Sequence, residues 1–184
     1  MASVRKPRAR DTILYGGLTV GLLDACDATL FFGSLGARPE RIAQHVASGL
    51  LGPASFEGGA ATIVLGVVLH FTVAICIAAT FYLLARNLPA LVAHPVVSGL
   101  GFGVAAYFVM GHVVVPLSRA RVSGAFSLPV FINGVVGHAV LIGLPIALFA
   151  ARSVRAAYRA QGESEMTGGT RGTTPPRLPI SIDP

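Results

Sequence analysis

The chain has no tryptophan, only two cysteines, and 12% charged residues in 184. A soluble globular domain carries about twice that share of charge, so the scarcity excludes an ordinary water-facing surface. It also excludes a disordered polyelectrolyte, and two cysteines exclude a disulfide scaffold. With tryptophan missing, any aromatic belt at a membrane surface falls to tyrosine, and Tyr15, Tyr82 and Tyr158 are placed to supply it. Acidic residues number only 8 against 14 Lys and Arg. Most of the positive charge stands at the chain ends, which suits a membrane protein and not a nucleic-acid binder.

What is present is hydrocarbon: 53% of the residues are hydrophobic and the mean hydropathy is +0.71. Four apolar runs, residues 12–36, 62–85, 94–117 and 129–151, are each long enough to cross about 30 Å of bilayer as a helix. They lack the strict alternation of barrel strands. The fold class expected is therefore all-α, a four-helix transmembrane bundle at residues 12–151, between a basic leader at 1–11 and a tail at 152–184 that is mostly disordered. The first run follows Arg5, Lys6, Arg8 and Arg10 as a signal peptide would, but it contains Asp24 and Asp27 and ends without a small-residue cleavage site, so it reads as a retained helix.

Orientation follows from the cationic residues outside the runs. Ten lie on one side (Arg5, Lys6, Arg8, Arg10, Arg86, Arg152, Arg155, Arg159, Arg171 and Arg177), and Arg38, Arg41, Arg119 and Arg121 lie on the other. Both termini are accordingly expected in the cytoplasm. Between the first two runs, residues 39–51 place Ile42, Val46 and Leu50 at four-residue spacing, the pattern of a short amphipathic helix lying on the outer interface. Gly17-x-x-x-Gly21 and Gly99-x-x-x-Gly103 let backbones approach closely. They fit packing inside the bundle, with a homodimer through either face as the alternative. The strings Gly66-Val-Val-Leu-His70 and Gly134-Val-Val-Gly-His138 hint at an internal duplication.

Every run carries a polar group that a purely structural span avoids: Asp24 and Asp27, His70, His112, and Asn133 with His138. At about 1.5 Å per residue, four helices of alternating direction bring Asp27, His70, His112 and His138 to one level, about 8 to 14 Å below the outer surface. Asp24 lies one turn deeper. Asp24 and Asp27 share a face with Gly17 and Gly21, His70 with Gly66, and His138 with Gly134. The expected site is thus Asp24, Asp27, His70, His112, His138 and Asn133, converging on a cavity that binds or relays a proton, a metal ion or a small polar solute. His70, His112, His138 and Asp27 are the candidate metal ligands, although no local ligand motif occurs and no cofactor is required. Two other readings stand beside it: a structural or assembly subunit whose histidines join helices, and a redox protein holding haem or copper. His45 and His94 read as exposed. Cys26 and Cys76 read as packing thiols too far apart in depth for a disulfide. No phosphate loop, nucleophile elbow or dinucleotide fingerprint is present, so nothing points to an enzyme, and nucleic acid is not an expected partner; the bilayer is.

The string His70-Phe-Thr, the turn Val113-Val-Val-Pro-Leu117 after His112, and Gly137-His138 resemble the YagU-like bacterial inner-membrane proteins. The likeness covers residues 65–148. The first span and Gln44-His-Val-Ala-Ser-Gly-Leu-Leu-Gly52 resemble a sister group of four-span proteins. The resemblance implies a multi-pass bacterial inner-membrane protein loosely associated with acid tolerance, and implies no reaction.

Overall fold

The computed structural model describes residues 9–121 and 126–168. Six helices make up the fold: α1 (Ala9–Ser34), α2 (Pro39–Leu51), α3 (Gly59–Asn87), α4 (Pro89–Ala93), α5 (Pro95–Leu117) and α6 (Leu128–Ala160). The chain is an all-α bundle, and α1, α3, α5 and α6 are long and apolar enough to cross a membrane. They correspond to the four apolar runs. Helix α6 runs on through Gly168, where the tail from residue 152 was expected to be mostly disordered; the Ala- and Arg-rich turns at 152–160 are strong helix formers and carry it forward. The leader at 1–8 and the tail at 169–184 lie outside the described residues.

Large apolar side chains point outward and small ones inward. Leu22, Leu30, Val64, Val97 and Val109 are exposed, whereas Ala47, Ala74, Ala78, Ala85, Ala147 and Ala150 are buried. Hydrocarbon solvates leucine as well as another helix does, so close contact between helices is won by small residues that admit their neighbours. At Gly17 an added Cβ would lie 2.7 Å from the Ile75 backbone of α3. At Gly99 it would meet the Gly143 carbonyl of α6 at 2.8 Å. Both small-residue faces are therefore occupied within the chain, α1 on α3 and α5 on α6. Tyr82, an expected belt residue, is instead buried in the core beside Phe81, while Tyr15 and Tyr158 are exposed. Tyr82 belongs to the buried cluster of the bundle, so its ring is used for packing.

Helix α2 departs from expectation. Its buried face is Gln44, Ala47 and Ser48, whereas Ile42 and Val46 are only half-buried and Leu50 is exposed. Gly66 of α3 admits the Ala43 carbonyl so closely that any side chain there would collide with it. Gln44 Nε2 donates to Thr62 Oγ1 at 3.2 Å, also on α3. Small residues go inward because the backbones meet, and the apolar stripe is left on the flank. The turn after α5 closes over the same helix: Arg119 N–H donates to the Gly49 carbonyl at 2.8 Å. At the opposite end, α4 is held to α6 by the Arg155 guanidinium, which donates to the Val92 carbonyl at 2.8 Å. The two ends of the bundle are called below the α2 end and the α4 end.

Two spans are interrupted by wide π-helical turns, Met110–Val114 in α5 and His138–Gly143 in α6. Each precedes a proline, Pro116 and Pro145. Proline lacks the N–H and its ring collides with the carbonyl four residues back, here His112 and Leu141, which both fall inside the widened turns. One extra residue per turn relieves that collision and shifts the rotational register beyond it.

Candidate functional site

Three helices contribute to a polar cluster in the half of the bundle nearer α2. Helix α1 lays Gly21 against α3, where Phe71 and Ala74 pack on it. That approach brings His70 over the α1 backbone: His70 Nε2–H donates to the Gly21 carbonyl at 2.7 Å. A carbonyl cannot donate, so Nε2 must carry the proton and Nδ1 is the nitrogen left to gain or lose one. Nδ1 faces the Asp24 carboxylate at 3.9 Å, too far for a direct hydrogen bond and close enough for an ion pair. Both side chains are about a quarter exposed, 20% for His70 and 26% for Asp24, so the pair is reachable and not sealed.

The second carboxylate has a different partner. Asn133 Nδ2 on α6 donates to Asp27 Oδ2 at 2.9 Å. The same oxygen stands over Gly137, where an added Cβ would lie 3.3 Å from it. Asp27 is thus served by an amide, whereas Asp24 faces the His70 imidazole. The arrangement joins α1, α3 and α6 and gives two carboxylates two environments.

Five of the six expected residues, Asp24, Asp27, His70, Asn133 and His138, are thus on α1, α3 and α6 around this cluster. His112 is not among them. It is exposed, its Nδ1–H donates to the Phe108 carbonyl of its own helix at 3.1 Å, and its ring lies against Phe108. His112 has the expected depth, but it lies nine residues beyond Gly103, on the opposite side of α5 from the glycines that meet α6. Tyr107 occupies the face towards α6 instead, its ring edge-on to His138 at 5.4 Å and packed over Gly134. Tyr107 is the one tyrosine in the middle of an apolar run, and that position was the available signal. Gly66 and Gly134 also have unlike neighbours, Ala43 and Tyr107, so the two similar strings sit in different surroundings. His45 and His94 are exposed. His112→Leu is expected to change stability by no more than about 0.5 kcal/mol, measured by equilibrium unfolding in mixed micelles.

The donor set does not fit a metal ion. Among the described residues no three His, Cys, Asp or Glu side chains come together in a way that could hold one, and His70 Nε2 is already committed to a backbone carbonyl. Cys26 and Cys76 are free thiols and both are exposed. What the cluster does offer is a titratable nitrogen and a titratable oxygen facing each other in a low-dielectric setting. In comparisons with known proteins, no family model, no curated protein and no solved structure matches the chain significantly.

Proposed function

We propose that this chain is a multi-pass protein of a bacterial inner membrane, both termini in the cytoplasm, whose Asp24–His70 pair binds a proton and passes it within the bundle. The carrying observation is the geometry of His70: Nε2 is pinned as a donor on Gly21, so proton exchange is confined to Nδ1, 3.9 Å from Asp24. A proton moving between these atoms crosses one short gap, which a single water or a small side-chain shift spans. His138 and Asp27 extend the same set of charges, and Asn133 steadies Asp27. A proton needs only this pair, whereas a metal ion needs a third donor at the same point. The excess of Arg at the α4 end supports the cytoplasmic placement of that end, and the likeness to YagU-like proteins supports the choice of membrane.

The structural alternative has one observation in its favour, since the His70–Gly21 bond also ties α3 to α1. Infrared difference spectra between acidic and alkaline pH, recorded on protein in bilayers, separate the two. The expected result is a protonated-carboxyl band that disappears in Asp24→Asn, shifts in pH in His70→Gln and is unchanged in His112→Gln, while all three variants keep their helix content. A titration identical in the parent and in His70→Gln, both being folded, would overturn the proposal and leave His70 a packing residue.

A further inference from the structure

Helices α3 and α5 do not pack on each other along most of their length; α5 packs on α6 and α3 on α1. Between them runs a groove of about 320 Å³, walled by Val73, Ile77 and Thr80 of α3 and by Ala105, Val109 and Val114 of α5. That volume is at the lower end of ligand pockets. At the α4 end the groove is stopped by the Phe81 and Phe102 rings, in edge contact at 4.9 Å. At the α2 end it is bordered: α2 is seated on Thr62 and Gly66, on the same side of α3 about two to three turns from Val73, and the turn after α5 reaches across to Gly49. The groove is therefore a lateral window that opens towards the bilayer.

Its chemistry limits the occupant. The wall hydroxyl, Thr80 Oγ1, donates to the Cys76 carbonyl of its own helix at 2.8 Å, so it is turned away from the space. A polar solute would find no partner there, and an apolar chain would lose nothing by entering. Beyond Val114 the chemistry reverses. Arg119 and Arg121 follow the last turn of α5, both are exposed, and neither has an acidic partner among the described residues. Arg119 is also held in place by the bond of its backbone to Gly49. Two guanidiniums without an acidic partner thus stand within about two turns of Val114, the last groove-lining residue of α5.

The geometry points to a phospholipid site, in which one acyl chain of an anionic glycerophospholipid lies between α3 and α5 and its phosphate is held by Arg119 and Arg121. The guanidinium fork matches phosphate oxygens in shape and charge. The chain would fill the window that α5 leaves by packing on α6, and so would support α5 from the side it leaves bare. This site is separate from the Asp24–His70 pair, which lies on the α1 side of α3.

The absence of tryptophan allows a clean test. Val109→Trp puts a single fluorophore at the rim of the groove, and Val140→Trp puts one on an exposed part of α6 as the reference. Each variant is reconstituted in mixtures of phosphatidylcholine and phosphatidylglycerol in which one lipid is brominated along its acyl chains. In Val109→Trp the anionic lipid is expected to be preferred over the zwitterionic one by about fivefold or more, because arginines near the headgroups attract anionic lipid. The preference is expected to vanish in Val109→Trp combined with Arg119→Gln and Arg121→Gln, and Val140→Trp is expected to show none. Should the combined variant not fold, the parent Val109→Trp in rising salt gives the same reading, since screening weakens the headgroup contact. An equal preference at both reporters, a preference indifferent to arginine and to salt, or no quenching at all in Val109→Trp would overturn the site; the last would mean that protein covers the groove.

Discussion

Gly103→Ala is expected to drive α5 away from α6, whereas Gly101→Ala, two positions along the same helix, is expected to stabilise the protein. A Cβ at Gly103 would be forced into the His138 carbonyl and would approach Ala139 Cα at 2.6 Å. From the other side, Gly143 faces the Gly99 carbonyl and stands 2.7 Å from Gly103 N by the same measure. Both partners are backbone, so no side chain can swing aside, and the helices must separate. Overpacking of this kind costs about 3 kcal/mol, and more is expected here because the contact is reciprocal. At Gly101 nothing lies within 4 Å, so an added methyl clashes with nothing and the helix gains about 0.5 to 1 kcal/mol of propensity. Equilibrium unfolding of the two variants in mixed micelles reads the difference. Equal effects would mean that the α5–α6 contact is looser than described. Because the His138 carbonyl is one of the contacts, Gly103→Ala is also expected to disturb the polar cluster.

The second large effect concerns the link between α1 and α6 at the cluster. Asn133→Leu removes the amide that serves Asp27 Oδ2 and leaves the carboxylate without that partner. Both groups are only half-buried, so stranding one is expected to cost about 1 kcal/mol, the low end of the range for a lost partner. Asp27→Leu strands the amide instead and is expected to cost a similar amount. The double variant removes both polar groups and is expected to recover most of the loss, so that the cycle yields a coupling of about 1.5 kcal/mol or more. Additive losses would show that the two side chains do not interact in the folded protein. The carboxyl band assigned above to Asp24 is expected to survive in both single variants, since Asn133 serves Asp27 alone.

How much of this could be read without coordinates differs from residue to residue. The four spans were legible because length and hydropathy settle them with no knowledge of neighbours. The burial of Gly17, Gly21, Gly99 and Gly103 was legible for a similar reason, since a missing side chain is itself a statement about approach. The depth of the polar groups was also legible, because rise per residue is constant along a helix. Rotation was not. His112 and Tyr107 are five residues apart, on different faces of α5, and which of them looks inward depends on where α6 stands. The orientation of α2 failed for a related reason: Ile42, Val46 and Leu50 form the better apolar stripe, yet Gly66 on another helix made the small face the one to bury.

The scarcity of charge and the runs of hydrocarbon determined by themselves that this chain is a helical membrane protein, because the bilayer tests each segment singly for apolar length. The tertiary structure alone decided which polar groups meet. That outcome depends on the mutual rotation of helices, set by glycine contacts between segments distant in the chain. It separated His112 from the histidines at the same depth, left Asp24 facing His70, gave Asp27 to Asn133, and opened a window between α3 and α5 that no single segment encodes.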